Sequence, residues 1–352
     1  MSLATALLGL ACVAVSALLT GAVRSFALSH GVLDVPNDRS SHSTATPRGG
    51  GIAIVATAVA ATVVLTFFGT LRINLLVALT GGGLAVAAVG FMDDRFKLPA
   101  AVRLAVHLAA AVWAVAWLGG LPGLRVGNHI AHLGWGGEVL ATAGIVWTLN
   151  LFNFMDGIDG IAASEAVFVA AAGAALISIG ADAGLGTDAG GVSAAALVFA
   201  CGCAGFLLWN WPPAKIFMGD VGSGYLGYFI AVLSLQAVRE NPVVVWVWLI
   251  LGAVFFVDAT VTLVRRTIRG ERVHEAHRNH AYQWLARRWR SHGRVTLTVV
   301  GLNLLWLLPC ALVATLHPAV AVWVLVIAFT PLVVLAVLAG SGRRESTTDA
   351  QA

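Results

Sequence analysis

Apolar residues gather along the chain in runs of about 18 or more, long enough for a helix to cross the hydrocarbon core of a bilayer. The runs lie near 3–23, 51–70, 73–92, 99–119, 136–153, 157–180, 191–209, 222–238, 242–264, 295–316 and 318–339. They predict an all-α, polytopic integral membrane protein with about eleven transmembrane helices. At about 20 residues per span, these use roughly 220 of the 352 residues and leave about 130. That remainder is too small for a large extramembrane domain. Residues 1–340 therefore read as one transmembrane domain, and the polar stretch 341–352 as a disordered tail. The first run has no basic residue before it, and its first positive charge, Arg24, follows it, which argues against a signal peptide.

Composition agrees with that layout. Hydrophobic residues make up 59% and charged residues 11%, against roughly 45–50% and about 25% in soluble domains, so a soluble enzyme is excluded. Cys12, Cys201, Cys203 and Cys310 lie in apolar runs without zinc or disulfide-framework spacing and read as small core residues. The net charge of +4 is too small to point to nucleic acid.

The placement of charge adds an orientation. When the connections alternate between two faces, all of the 21 Lys and Arg residues except Arg72, Arg125 and Arg239 fall on one side or at its helix ends. The positive-inside rule makes that side cytoplasmic, with the N-terminus outside, the C-terminus inside and cytoplasmic loops at 30–50, 93–98, 153–157, 210–222 and 265–294.

Nearly every unusual polar cluster falls in those loops: Asp34 to His42, Pro47 to Gly51, Asp93-Asp94-Arg95, Asn150 to Asp159, Asn210 to Ser223 and His274 to His280. Carboxylates beside a membrane are costly without a partner, so they point to function. Asp and Asn oxygens suit Mg²⁺, while Arg, His and glycine-rich turns suit phosphate. No Walker A sequence is present. Asp93-Asp94 alone equally suits an interfacial helix cap. Asn153, Asp156 and Asp159 recur every three residues on one helix face, and an N-cap with acidic first-turn residues is the plain alternative. His274, His277 and His280 mimic zinc spacing, but Arg272 and Arg278 beside them favour an anion. Arg287, Arg288, Arg290 and Arg294, with Trp284 and Trp289, read as an interfacial stretch against lipid headgroups. His292 has no catalytic neighbour in the sequence, and Asp258 reads as a buried partner of Arg265 and Arg266.

From Asp34 to about His280, these blocks in this order resemble the polyprenyl-phosphate N-acetylhexosamine-1-phosphate transferase family, the WecA- and MraY-like enzymes of glycosyltransferase family 4. Residues 34–43 and 277–283 are most similar to its WbpL-type branch, which initiates O-antigen. His277-Arg-Asn-His280 stands where the peptidoglycan branch carries a triple-His run, which counts against a muramyl-pentapeptide substrate.

The resemblance implies a catalytic membrane domain that transfers an N-acetylhexosamine 1-phosphate from a UDP-sugar to undecaprenyl phosphate and releases UMP. It implies Mg²⁺, with Mn²⁺ as a substitute, held by Asn153 and Asp220. It places Gly157 and Phe217 around uracil, with Asp159 and Asn210 at its polar edge. Asp93 and Asp94 match the acidic pair that handles the lipid phosphate, and Asp156 is another polar residue of the core. Arg103 matches a diphosphate contact, Arg278, His277 and His280 a loop closing over diphosphate and sugar, and Ser41, His42 and Arg48 the first loop's motif.

The implied donors are UDP-GlcNAc or a 6-deoxy relative such as UDP-FucNAc or UDP-QuiNAc, and the implied place is a bacterial inner membrane with the site on the cytoplasmic face. The chemistry needs alignment and charge stabilisation rather than a covalent protein step. A phospho-aspartate route is the rival mechanism, and a transporter with intramembrane carboxylates the rival class. Gly81-Gly-Gly83 would permit close helix approach in a homodimer.

Overall fold

The structure is a computed structural model that describes residues 2–36, 44–183, 189–241, 244–271 and 278–343. Each apolar run becomes helix, because a backbone in hydrocarbon must satisfy its own N–H and C=O groups. The helices are α1 (Leu3–Ser29), α2 (Gly51–Phe67), α3 (Ile73–Phe96), α4 (Ala100–Leu118), α5 (Gly136–Met155), α6 (Ile161–Asp182) and α7 (Ala189–Asn210). They continue as α8 (Asp220–Glu240), α9 (Val244–Leu251), α10 (Ala253–Ile268), α11 (Ala281–Trp289), α12 (His292–Leu316) and α13 (Pro318–Ala339).

Among the described residues nine helices are long and apolar enough to cross a membrane. Two of the eleven runs depart from a simple span. The run at 51–70 forms only the 17 residues of α2. The run at 242–264 breaks at Gly252 into α9 and α10, bent by 74°. Hydropathy registers length and apolarity, and neither distinguishes a straight helix from a bent one.

Helix α8 is the most buried of the spans and packs against α2, α3, α5, α6 and α7. Missing side chains allow this. A Cβ on Gly90 of α3 would lie 2.3 Å from the Asp220 carbonyl oxygen, and one on Gly51 would lie 2.4 Å from Cα of Gly222. The Gly81-Gly-Gly83 run packs against this chain's own Trp113, Tyr228 and Tyr225. It therefore carries no argument for a second copy. A π-helical turn at Ala78–Gly82 interrupts α3 there, and the Tyr228 hydroxyl donates to the Ala78 carbonyl at 2.8 Å.

Among the described residues, two short antiparallel ribbons complete the fold: β1 (Leu33–Asp34) with β2 (Thr46–Pro47), and β3 (Gly123–Val126) with β4 (His129–His132). The first joins the loop before α8, since the Phe217 N–H donates to the Pro47 carbonyl at 2.8 Å and the Gly50 N–H to the Phe217 carbonyl at 3.0 Å. The four cysteines are free. Ser341, which the sequence places in the tail, is buried, and its hydroxyl donates to Asp258 at 2.8 Å.

Candidate active site

The loops after α1, α5 and α7, the ends of α5 and α8, and one face of α11 enclose a cavity of about 1330 Å³ at one end of the bundle. Its polar lining is divided. Asn153, Asp156, Asp220 and Ser223 lie on the side of α5 and α8, whereas Arg278, Arg287 and Arg290 come from α11 and its flanks.

The acidic side is organised around the start of α8. The Asp94 carboxylate accepts the backbone N–H groups of Asp220 at 3.0 Å and Val221 at 3.3 Å, satisfying two orphan donors and the positive end of the helix dipole. Arg48 Nη2 lies 2.7 Å from Asp94 Oδ1 and 2.9 Å from Asp220 Oδ1. Arg103, from the first turn of α4, donates to Asp93 and lies 3.7 Å from the other Asp220 oxygen. Asp93 also accepts the Leu98 N–H at 2.6 Å. Two guanidinium groups thus bind three carboxylates, and Asp220 is the carboxylate they share.

Burial alone would lower the Arg48 pKa, but Asp94 and Asp220 outweigh it and hold the guanidinium above its ordinary value. Asp156, in the loop between α5 and α6, is pushed well above the usual carboxylate range by burial and then by Asp220, with Arg48 offsetting part. The Asn153 amide nitrogen donates to the Ser223 hydroxyl at 2.9 Å, so its amide oxygen takes no part in that bond.

The other end of the cavity is held by backbone contacts. Asn210 accepts the Gly160 N–H at 3.0 Å and donates to the Ile216 carbonyl at 2.9 Å, so both ends of its amide brace the loops that carry Asp159 and Phe217. Asp159 accepts the Ala214 N–H at 3.0 Å, and its other oxygen lies 3.2 Å from His292 Nδ1. Phe217 lines the cavity and bridges to Arg48. Gly157 is required by packing, because a Cβ there would lie 2.1 Å from the Tyr282 hydroxyl oxygen. That hydroxyl donates to the Phe154 carbonyl at 3.0 Å. Burial, followed by the nearby Asp258 and Asp156 charges, pushes the Tyr282 phenol far up and keeps it a donor.

The expected site residues therefore converge, with one departure. Asn153, Asp156, Gly157, Asp159, Asn210, Phe217, Asp220, Arg48 and Arg278 line the cavity, and Asp93, Asp94 and Arg103 back its acidic side. His280 does not face it. Its side chain is 2% exposed and sits at the N-terminus of α11, with Nδ1 3.7 Å from Asp258. Ser41, His42 and His277 lie outside the described residues.

The structure also adds residues. His292 stands against Asp159, and Arg287 and Arg290 face the cavity although the sequence placed them against lipid headgroups. Asp258 does not pair with Arg265 or Arg266. It binds the start of α11, while Arg266 pairs with Glu271 at 3.0 Å and Arg265 donates to the Ser341 carbonyl. His292 lies 133 residues from Asp159, a separation that no local pattern records.

A cavity with hard oxygen donors on one wall and guanidinium groups on the other suits an anionic ligand carrying phosphates. A family model for glycosyl transferase family 4 matches residues 75–238, the segment holding Asp93 through Asp220. The chain is 30% identical over 295 residues to a Bacillus subtilis protein named probable undecaprenyl-phosphate N-acetylglucosaminyl 1-phosphate transferase, covering 80% of this chain and 77% of that protein. It is 31% identical over 327 residues to the Mycobacterium tuberculosis decaprenyl-phosphate N-acetylglucosaminephosphotransferase, covering 84% and 78%. A phospho-N-acetylmuramoyl-pentapeptide-transferase of Moorella thermoacetica is 34% identical over 210 residues, covering 55% of this chain and 62% of that protein. With similarity running through most of the chain, including the segment that holds the cavity's carboxylates, this protein belongs to glycosyl transferase family 4.

Proposed function

We propose that this protein transfers N-acetylglucosamine 1-phosphate from UDP-GlcNAc to undecaprenyl phosphate, releasing UMP and forming undecaprenyl-diphospho-GlcNAc. The observation that carries this reading is the shared Asp220: one carboxylate at a helix start, bound by Arg48 and Arg103 and facing a cavity with a cationic far wall. The names of the curated relatives support a polyprenyl-phosphate acceptor and a GlcNAc 1-phosphate group. The polar clusters gather at one end of the bundle, which favours an interfacial enzyme over a transporter.

In this reading the acceptor's phosphate oxygen attacks the sugar-side phosphorus of the donor, and the bond from that phosphorus to UMP breaks. Asp93, fixed by Arg103 and the Leu98 N–H, orients the acceptor's phosphate. Arg48, Arg278 and Arg287 neutralise the donor's diphosphate. Phe217 and Asp159 hold the uracil end.

The residues fit Mg²⁺. Among the described residues no group of three or more His, Cys, Asp or Glu side chains gathers as a metal cage. Mg²⁺ does not need one, since it keeps waters and takes one or two carboxylates plus substrate phosphates. Asp220 and the Asn153 amide oxygen would hold it, with Asp156 beside them as a carboxylate destabilised by burial and by its acidic neighbours. Bound there, Mg²⁺ would neutralise and polarise the diphosphate, and Mn²⁺ would substitute.

The cationic loops favour a site on the cytoplasmic face of a bacterial plasma membrane, with the N-terminus outside. Purified protein supplied with undecaprenyl phosphate, Mg²⁺ and a panel of UDP-sugars should release UMP with UDP-GlcNAc. Greater release with UDP-FucNAc or UDP-QuiNAc would assign the WbpL-type branch and O-antigen instead, and no release with any sugar would overturn the reading. Asp220→Asn should abolish turnover or raise the Mg²⁺ requirement in a folded protein, and unchanged activity would remove Asp220 from the metal site.

A further inference from the structure

Asp258 lies on α10 with 5% of its surface exposed. Its Oδ1 accepts the Ala281 N–H at 2.8 Å and the hydroxyls of Ser341 at 2.8 Å and Thr262 at 3.2 Å. Its Oδ2 accepts the Tyr282 N–H at 3.1 Å. Ala281 and Tyr282 open α11, so the carboxylate sits where a helix start has unsatisfied amides and where its dipole favours negative charge. His280 completes the join. Its N–H donates to Gln283 at 3.3 Å, and its ring stands beside the same carboxylate.

What α11 carries makes this more than a cap. Gln283, Ala286, Arg287 and Arg290 recur at three- and four-residue spacing and turn one helical face to the cavity. The Arg287 guanidinium lies 4.6 Å from the Trp284 ring and donates to the Arg278 carbonyl at 3.1 Å, which places a second cavity arginine. Tyr282 covers Gly157 and reaches Phe154, in the last turn of α5 just before the loop that carries Asp159. Asp258 is not part of the cavity lining.

We propose that Asp258 is a positioning residue for the donor nucleotide: through the start of α11 it sets Tyr282 over Gly157 and Arg287 against the cavity. Its loss weakens donor binding and leaves the acceptor side, built on α3, α4 and α8, in place. This rests on the transferase reading above.

Asp258→Asn puts an amide N–H₂ where one of the backbone or hydroxyl donors now points. Two measurements test it. Hydrogen exchange should quicken across 281–290, and the KM for UDP-GlcNAc should rise about tenfold, the loss of roughly one charge-assisted hydrogen bond, while the KM for undecaprenyl phosphate stays within about twofold. Asn303→Leu, which breaks a buried bond on α12, is the comparator: it should lower thermal stability with both KM values within about twofold of wild type. Equal rises in both KM values for Asp258→Asn, or lost stability with the donor KM unmoved, would overturn the proposal. Should Asp258→Asn fail to fold, Ser341→Ala removes one donor from the same carboxylate. It should raise the donor KM about two- to threefold, and an unchanged KM would overturn the proposal. If wild type releases no UMP, the transferase reading fails by itself. Calorimetric binding of UDP to wild type and Asp258→Asn then decides the positioning role, equal affinity refuting it.

Discussion

Burial, and then the charges of Asp220 and Asp94, raise the Asp156 carboxyl, which lies in a loop between two spans. A carboxyl raised in the folded protein binds its proton more tightly there than in the unfolded chain. Its contribution is therefore intact below the ordinary carboxylate pKa of about 4 and is lost as pH rises toward the raised value. In chelator, the thermal midpoint should fall as pH rises through that window, and Asp156→Asn should flatten the fall. Parallel profiles for the two proteins would refute the assignment. At Gly157 the constraint is steric: Gly157→Ala must displace the Tyr282 ring, so activity should drop at least tenfold with little loss of fold. Near-normal turnover would show that the ring yields. Asp156 and Gly157 were legible in the sequence because they sit in a dense polar block. His292, Arg287 and Asp258 were not, since their roles come from partners brought close only by folding.

The helices show the same division. Apolar runs place the spans to within a few residues, because lipid imposes one simple requirement of length and apolarity. The 74° bend at Gly252 and the π-helical turns at Ala78–Gly82 and Asn303–Leu307 leave that requirement satisfied and were unreadable. The second π turn has an energetic partner. Asn303 donates to Glu165 of α6 at 2.6 Å, and both side chains are fully buried. Asn303→Leu leaves that carboxyl without its donor and should cost about 2 kcal/mol. Adding Glu165→Leu should recover much of the loss by removing the stranded group. A double variant no more stable than Asn303→Leu would mean the pair contributes nothing specific.

Across the whole molecule, the one-sided distribution of positive charge predicts which end of the bundle meets the cytoplasm. A cysteine at Asn128, exposed between β3 and β4, should react with an impermeant thiol reagent on intact cells, whereas one at the exposed Arg95 should react only after permeabilisation. The reverse pattern would invert the topology and put the cavity outside. The donor wall has a further dependence on the whole chain. Asp258, which binds the start of α11, also accepts the Ser341 hydroxyl, and the Gly342 N–H donates to the Asn279 carbonyl just before α11, so part of this support arrives with residues that follow α13. During synthesis the acidic side of the cavity, complete by α8, would stand in the membrane before its cationic wall could be fixed. A half-inserted chain would then lack a firm grip on nucleotide sugar, and insertion of the last described span would switch that grip on.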